Sequence, residues 1–170
     1  RSYSNIVKTH LKPNLGFYKL SQITKPTLQD TFTCAFITSC FTGMRTGEVC
    51  SLTGDDIDFT NRVINVKRTV YDKPDNGKGR WYIGTTKTKQ WTRQINMSIT
   101  LYSALMNYRK KQQYLKKVFG SEYYTYHFED VLNKYGKVTE KRIIQNGGNV
   151  LQINKADMVF TRPNGQYVGR

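Results

Sequence analysis

A chain of 170 residues is long enough for one domain with a full core, or for a small domain beside part of another. Its 27 Lys+Arg against 12 Asp+Glu leave a formal net charge of +15, an excess that favours a polyanionic partner because each neutralised phosphate releases counterions. Nucleic acid leads, and an anionic membrane surface is disfavoured, because no long apolar run or basic amphipathic segment with a deep apolar face appears.

Cys34, Cys40 and Cys50 are odd in number, and two lie in an apolar stretch, so they read as small hydrophobes rather than as a disulfide or metal site. His10 and His127 are far apart and give no zinc spacing. No secretory leader is visible at Arg1-Ser2-Tyr3, and the chain reads as a fragment.

Residues 1–30 read as a helical segment followed by a loop: Asn14-Leu15-Gly16 turns the chain, and Thr27 resembles a cap before Leu28. The character changes at Asp30-Thr31 without a linker, so residues are expected to be missing there. An apolar helix follows over 31–43 and stops at Gly43, and Arg45 then opens a short helix marked by Glu48, Val49 and Leu52, closed by Asp55-Asp56. A buried helix that ends at a glycine and then presents a cation can hold a guanidinium at the edge of a cleft.

Residues 62–70 are β-branched and alternating, which predicts a strand. Asn76-Gly77 marks a turn, so 80–86 should return antiparallel. Residues 91–97 alternate again, with Trp91, Arg93, Ile95 and Met97 on one face and residues 87–90 as the tip between the second and third strands. The spacing of Leu101, Leu105, Tyr108, Leu115 and Phe119 predicts a helix over 98–119, with Lys110, Lys111 and Lys117 on its other side. Residues 120–156 show no steady period. A short strand over 157–161 and a turn at Pro163-Asn164-Gly165 precede the end at Arg170.

Helix, arginine, three-stranded sheet with a lysine near a hairpin tip, then a long helix: this order resembles the catalytic domain of the tyrosine recombinases, the phage and transposon integrases. Thr42-Gly43-x-Arg45-x-Gly47-Glu48-x-x-x-Leu52-x-x-x-Asp56-Ile57-Asp58 looks like the first arginine box of that family, and Lys87-Thr88-Lys89-x-x-x-Arg93-x-Ile95 resembles its lysine hairpin. The stretch from Ile6 to Asp30 is similar to part of the core-binding domain in the Gram-positive conjugative-transposon and phage branch. The resemblance implies an α+β fold: a mainly helical catalytic domain with a three-stranded antiparallel sheet over 31–170, preceded by a helical core-binding fragment over 1–30.

The resemblance also implies a chemistry. Strand exchange that conserves phosphodiester energy needs a covalent protein-phosphate intermediate, and the attacked phosphate gains negative charge. Arg45 would bind that phosphate through its planar fork, and Lys87 would donate a proton to the departing 5′ oxygen. Lys89 is the rival for that role, placed second because Lys87-Thr88 matches the family spacing. Glu48 reads as a carboxylate that fixes the guanidinium or packs the helix start. Lys67, Arg68, Lys89 and Arg93 read as contacts to the DNA backbone, with Lys73, Lys78 and Arg80 on the same basic sheet face. Tyr123, Tyr124 and Tyr126 read as core or surface aromatics.

The family's second box, a histidine followed three residues later by an arginine, is missing, and so is its late tyrosine; the nucleophile is expected outside this chain, and these residues alone are expected not to cleave DNA. The implied protein is a metal-independent site-specific recombinase of a mobile element that needs no cofactor and acts in the bacterial cytoplasm at the nucleoid. Its partners would be double-stranded attachment sites, further copies making a homo-tetramer, and accessory DNA-bending or directionality proteins. The alternatives are a non-catalytic DNA-binding module of the same fold and, more weakly, a type IB topoisomerase.

Overall fold

A computed structural model describes residues 31–75, 78–85, 92–146 and 155–168. The expected core-binding fragment over 1–30, the Asn76-Gly77 turn, and both candidate lysines, Lys87 and Lys89, lie outside the described residues.

Helix α1 (Thr31–Thr42) stops at Gly43, whose φ of +65° suits a residue without a Cβ and whose N–H closes the last turn onto Ser39 O at 2.9 Å. The helix is not buried wholesale, as its apolar run suggested. Phe32 and Phe41 are exposed, and its buried residues are Thr31, Thr33, Cys34 and Thr38. Burial of the hydroxyls is tolerated because they are bonded: Thr38 donates to Cys34 O at 2.8 Å, and Thr31 to Thr161 O at 2.7 Å.

Helix α2 (Thr46–Cys50) leads through a turn of 3-10 helix to β1 (Ile57–Asp58), β2 (Val63–Val66), β3 (Arg68–Asp75), β4 (Lys78–Thr85) and β5 (Arg93–Asn96). Helix α3 (Ile99–Phe119) follows, with Ser98 accepting from Leu101 N at 3.2 Å as its cap and Leu101, Leu105 and Tyr108 buried as the stripe predicts. The chain continues into β6 (Thr125–Leu132), β7 (Val138–Asn146) and β8 (Lys155–Ala156).

Helices and antiparallel sheets are mixed among the described residues, as the α+β class requires. The three expected strands divide differently. One antiparallel sheet runs β1-β2-β5, and a five-stranded one runs β3-β4-β7-β6-β8. The strand expected over 62–70 therefore changes sheets at Lys67. Two contacts draw its second half away: the Ser51 hydroxyl donates to Arg68 O at 2.8 Å, and α2 lies against β3 at Gly47. A Cβ on Gly47 would stand 2.5 Å from Thr69 Oγ1 and 2.7 Å from Val70 O, so only glycine allows this approach.

Each sheet covers its own core. Met44, Val49, Ile64, Val66, Leu101, Leu105 and Phe160 fill the first. Val70, Ile83, Tyr126, Ile143 and Tyr167 fill the second, with Trp81 and Phe128 packed against them. Residues 157–161 form no strand; Met158 and Thr161 make isolated bridges to Thr53 and Tyr167. The stretch without a period holds the β6–β7 hairpin. Beyond Phe128 and Ile143 it leaves the core, and charged cross-strand pairs stand on both faces: Asp130 with Lys141 at 3.2 Å and Glu129 with Arg142 at 3.4 Å.

Candidate functional site

Arg45 sits where two helices nearly meet. Gly43 ends α1, Met44 is buried as an anchor, and Arg45 in extended conformation (φ −68°, ψ 150°) becomes the N-cap of α2. Its carbonyl accepts from Glu48 N at 2.9 Å and Val49 N at 3.0 Å, while its own N–H donates to Glu48 Oε2 at 2.9 Å. This is one half of a capping box; the other half needs a side-chain acceptor, which a guanidinium lacks. The backbone is thus fixed while the Arg45 side chain stays 68% exposed.

Glu48 is the hub. Its side chain is 3% exposed, and both oxygens accept from the Arg93 fork, Oε1 from Nη1 at 3.0 Å and Oε2 from Nη2 at 2.8 Å. Arg45 Nη1 lies 3.9 Å from Oε1. The Arg93 hydrogen bonds hold the Glu48 carboxyl below its ordinary value against its burial, and the same bonds raise the Arg93 pKa. Strand β5 brings Arg93 here because Ile95 and Met97, on the same side, pack into the first core. The structure therefore joins Arg45, Glu48 and Arg93 in one cluster, and Arg93, expected on the DNA backbone, turns its fork to a carboxylate.

A second cluster gathers two other expected DNA contacts. Asp56 is 1% exposed and accepts from Thr53 N and Thr53 Oγ1, both at 2.9 Å. Arg68 Nη2 bonds to the same carboxylate oxygen and donates to Thr53 Oγ1 at 2.8 Å, and its guanidinium lies over the Phe128 ring at 5.8 Å. Arg68 thus faces inward instead of lying on a solvated basic face. Lys67 is half exposed, with Nζ 3.6 Å from Asp56 Oδ1. Lys73, also expected on that face, bonds to Glu140 at 2.5 and 2.8 Å. The roles of Asp56 and Thr53 were missed in the sequence, although Thr53-x-x-Asp56 is a capping-box spacing that could have revealed them.

Among the tyrosines, Tyr123 and Tyr126 are buried, and Tyr126 donates to Gly165 O at 2.8 Å. No helix among the described residues is long and apolar enough to cross a membrane.

The model of the Phage integrase family matches residues 19–155. A protein described as tyrosine recombinase XerC-like, from Caldanaerobacter subterraneus subsp. tengcongensis (strain DSM 15242 / JCM 11007 / NBRC 100824 / MB4), is 30% identical over 125 residues, which are 71% of this chain and 31% of the relative. Among solved structures, the Tn1549 transposon integrase in complex with transposon right end DNA is 26% identical with a TM-score of 0.45, over 66% of this chain and 32% of that one. The same integrase in complex with a circular intermediate DNA is 22% identical with a TM-score of 0.49, over 89% of this chain and 39% of that one. The chain thus spans roughly a third of the length of the relatives it matches.

Proposed function

The chain belongs to the phage integrase family, and from that premise we propose that its protein is a site-specific DNA recombinase in which Arg45 binds the scissile phosphate. A tyrosine oxygen supplied from outside the described residues attacks phosphorus, a 3′-phosphotyrosyl bond forms, and the bond to the 5′ oxygen breaks. Lys87 gives that leaving oxygen its proton, with Lys89 as the rival donor. Arg45 takes two non-bridging oxygens through its fork, where the negative charge grows. The substrates are double-stranded ends of a mobile element in the bacterial cytoplasm, joined by a homo-tetramer with accessory DNA-bending or directionality proteins.

One observation carries this reading. Arg45 has its backbone locked by a buried carboxylate while its side chain stays 68% exposed, so the fold holds the residue without burying the side chain. Lys67 is half exposed and fits a backbone contact, whereas Arg68, bonded to Asp56, does not.

The test uses the whole gene product and a labelled duplex spanning the junction between the element that carries the gene and its flanking DNA. Arg45→Ala is expected to lower the yield of covalent protein-DNA adduct by about a hundredfold or more, as loss of one preorganised donor does, with duplex affinity mostly retained. Adduct formation at the wild-type rate would refute the role of Arg45. A wild-type protein that binds the duplex yet never forms an adduct would favour a non-catalytic DNA-binding module.

A further inference from the structure

Resting on the reading of Arg45 as the phosphate ligand, we infer that Arg93 is a positioning residue: it occupies the buried Glu48 carboxylate that would otherwise claim the Arg45 guanidinium. Glu48 accepts three hydrogen bonds, two from the Arg93 fork at 3.0 and 2.8 Å and one from Arg45 N at 2.9 Å. Arg45 Nη1 is the next cation, 3.9 Å from Oε1 and outside hydrogen-bond range. A carboxylate that is 3% exposed does not stay unpaired at small cost. Without Arg93, the Arg45 side chain needs to move inward by only about 1 Å to reach bonding distance. A fork bonded to Glu48 cannot grip a phosphate through the same N–H groups.

A purely structural bridge accounts for the Arg93 fork less well. Strand β5 is already held by its pairing with β2 from Val63↔Asn96 to Val66↔Arg93, and by Met97 in the first core. Helix α2 is already seated on β3 at Gly47. What the fork adds is neutralisation of Glu48 by a cation other than the presented arginine. A phosphate contact by Arg93 through those same N–H groups would require it to release the carboxylate, which would then be free to take Arg45.

The experiment is a mutant cycle on the whole gene product, reading single-turnover cleavage at saturating duplex, duplex affinity and thermal unfolding. Arg93→Met is expected to slow cleavage by about tenfold with affinity changed by less than about twofold. Adding Glu48→Gln to Arg93→Met is expected to restore most of the rate, and adding Arg93→Met to Arg45→Ala to cost nothing further. Cleavage is measured well below the melting temperature of every variant, so rescue through folding alone does not enter. Should Arg93→Met fail to fold, Arg93→Lys with and without Glu48→Gln gives the same ordering at smaller amplitude. Loss that appears as weaker duplex affinity, is untouched by Glu48→Gln and adds to that of Arg45→Ala would make Arg93 a direct DNA contact and overturn the inference, leaving the Arg45 reading standing. An Arg45→Ala enzyme that cleaves normally would remove the premise itself.

Discussion

Two helix starts in this chain use one device and end differently. Arg45-x-x-Glu48 and Thr53-x-x-Asp56 each bring a buried carboxylate back to the N-cap N–H at 2.9 Å, and each carboxylate meets an arginine from a strand, Arg93 in one case and Arg68 in the other. At Thr53 the N-cap side chain closes the network, donating to Asp56 and accepting from Arg68, and is itself buried. At Arg45 the N-cap side chain has no acceptor to offer the helix start, and it stays 68% exposed. A cation at a helix N-terminus is disfavoured by the helix dipole, and Glu48 offsets that cost. The N-cap residue therefore separates a sealed structural cap from a candidate site.

The largest effect should fall on the sealed box. Asp56→Ala strips Arg68 and Thr53 of their shared acceptor and should cost about 3 kcal/mol of unfolding free energy, read by denaturant titration. Glu48→Ala should cost less, because the Arg93 side chain, 37% exposed against 23% for Arg68, can turn to water. Equal losses would mean that the two boxes do not differ in sealing. Next in size is Gly47→Ala. The new Cβ meets the Val70 carbonyl at 2.7 Å, which cannot swing aside as a side chain can, so α2 must lift from β3. A loss of about 2 kcal/mol is expected, with a drop in cleavage because the start of α2 carries Arg45. Unchanged stability would show that α2 is not seated as described.

How much of this was readable in the residues depended on how local the cause was. The stop at Gly43, the opening of α2 at Arg45 and the stripe of α3 are short-range signals, and the structure has the first two and buries the stripe from Leu101 to Tyr108, with Leu115 and Phe119 only partly covered. The sheet switch at Lys67 leaves no trace, because Ile64, Val66 and Val70 keep one parity straight through it. Alternation reports which side a residue faces, not which sheet it joins. The β6–β7 hairpin was hidden for the opposite reason. Once Glu129–Arg142 and Asp130–Lys141 occupy both faces, the polarity of successive residues no longer alternates. Arg68 and Arg93 read as surface cations because their partners, Asp56 and Glu48, stand 12 and 45 residues away, and no local pattern reports a long-range ion pair.

The smallest effect is a pH dependence at the open box. Hydrogen bonds from Arg93, opposed by burial, hold Glu48 below its ordinary 4.5 in the folded chain. A carboxylate whose folded pKa is depressed adds stability above its unfolded pKa and loses it as the pH falls through the lower folded value. Glu48→Gln keeps the acceptor for Arg45 N but cannot release or bind that proton. Plotted against pH, its unfolding free energy should therefore fall less steeply than that of the wild type below 4.5, and the two curves should run parallel from about pH 6 upward, above the titration of both states. An acid limb as steep in Glu48→Gln as in the wild type would mean that Glu48 is not held ionised by Arg93, and the account of the open box as a carboxylate fixed by that fork would fall.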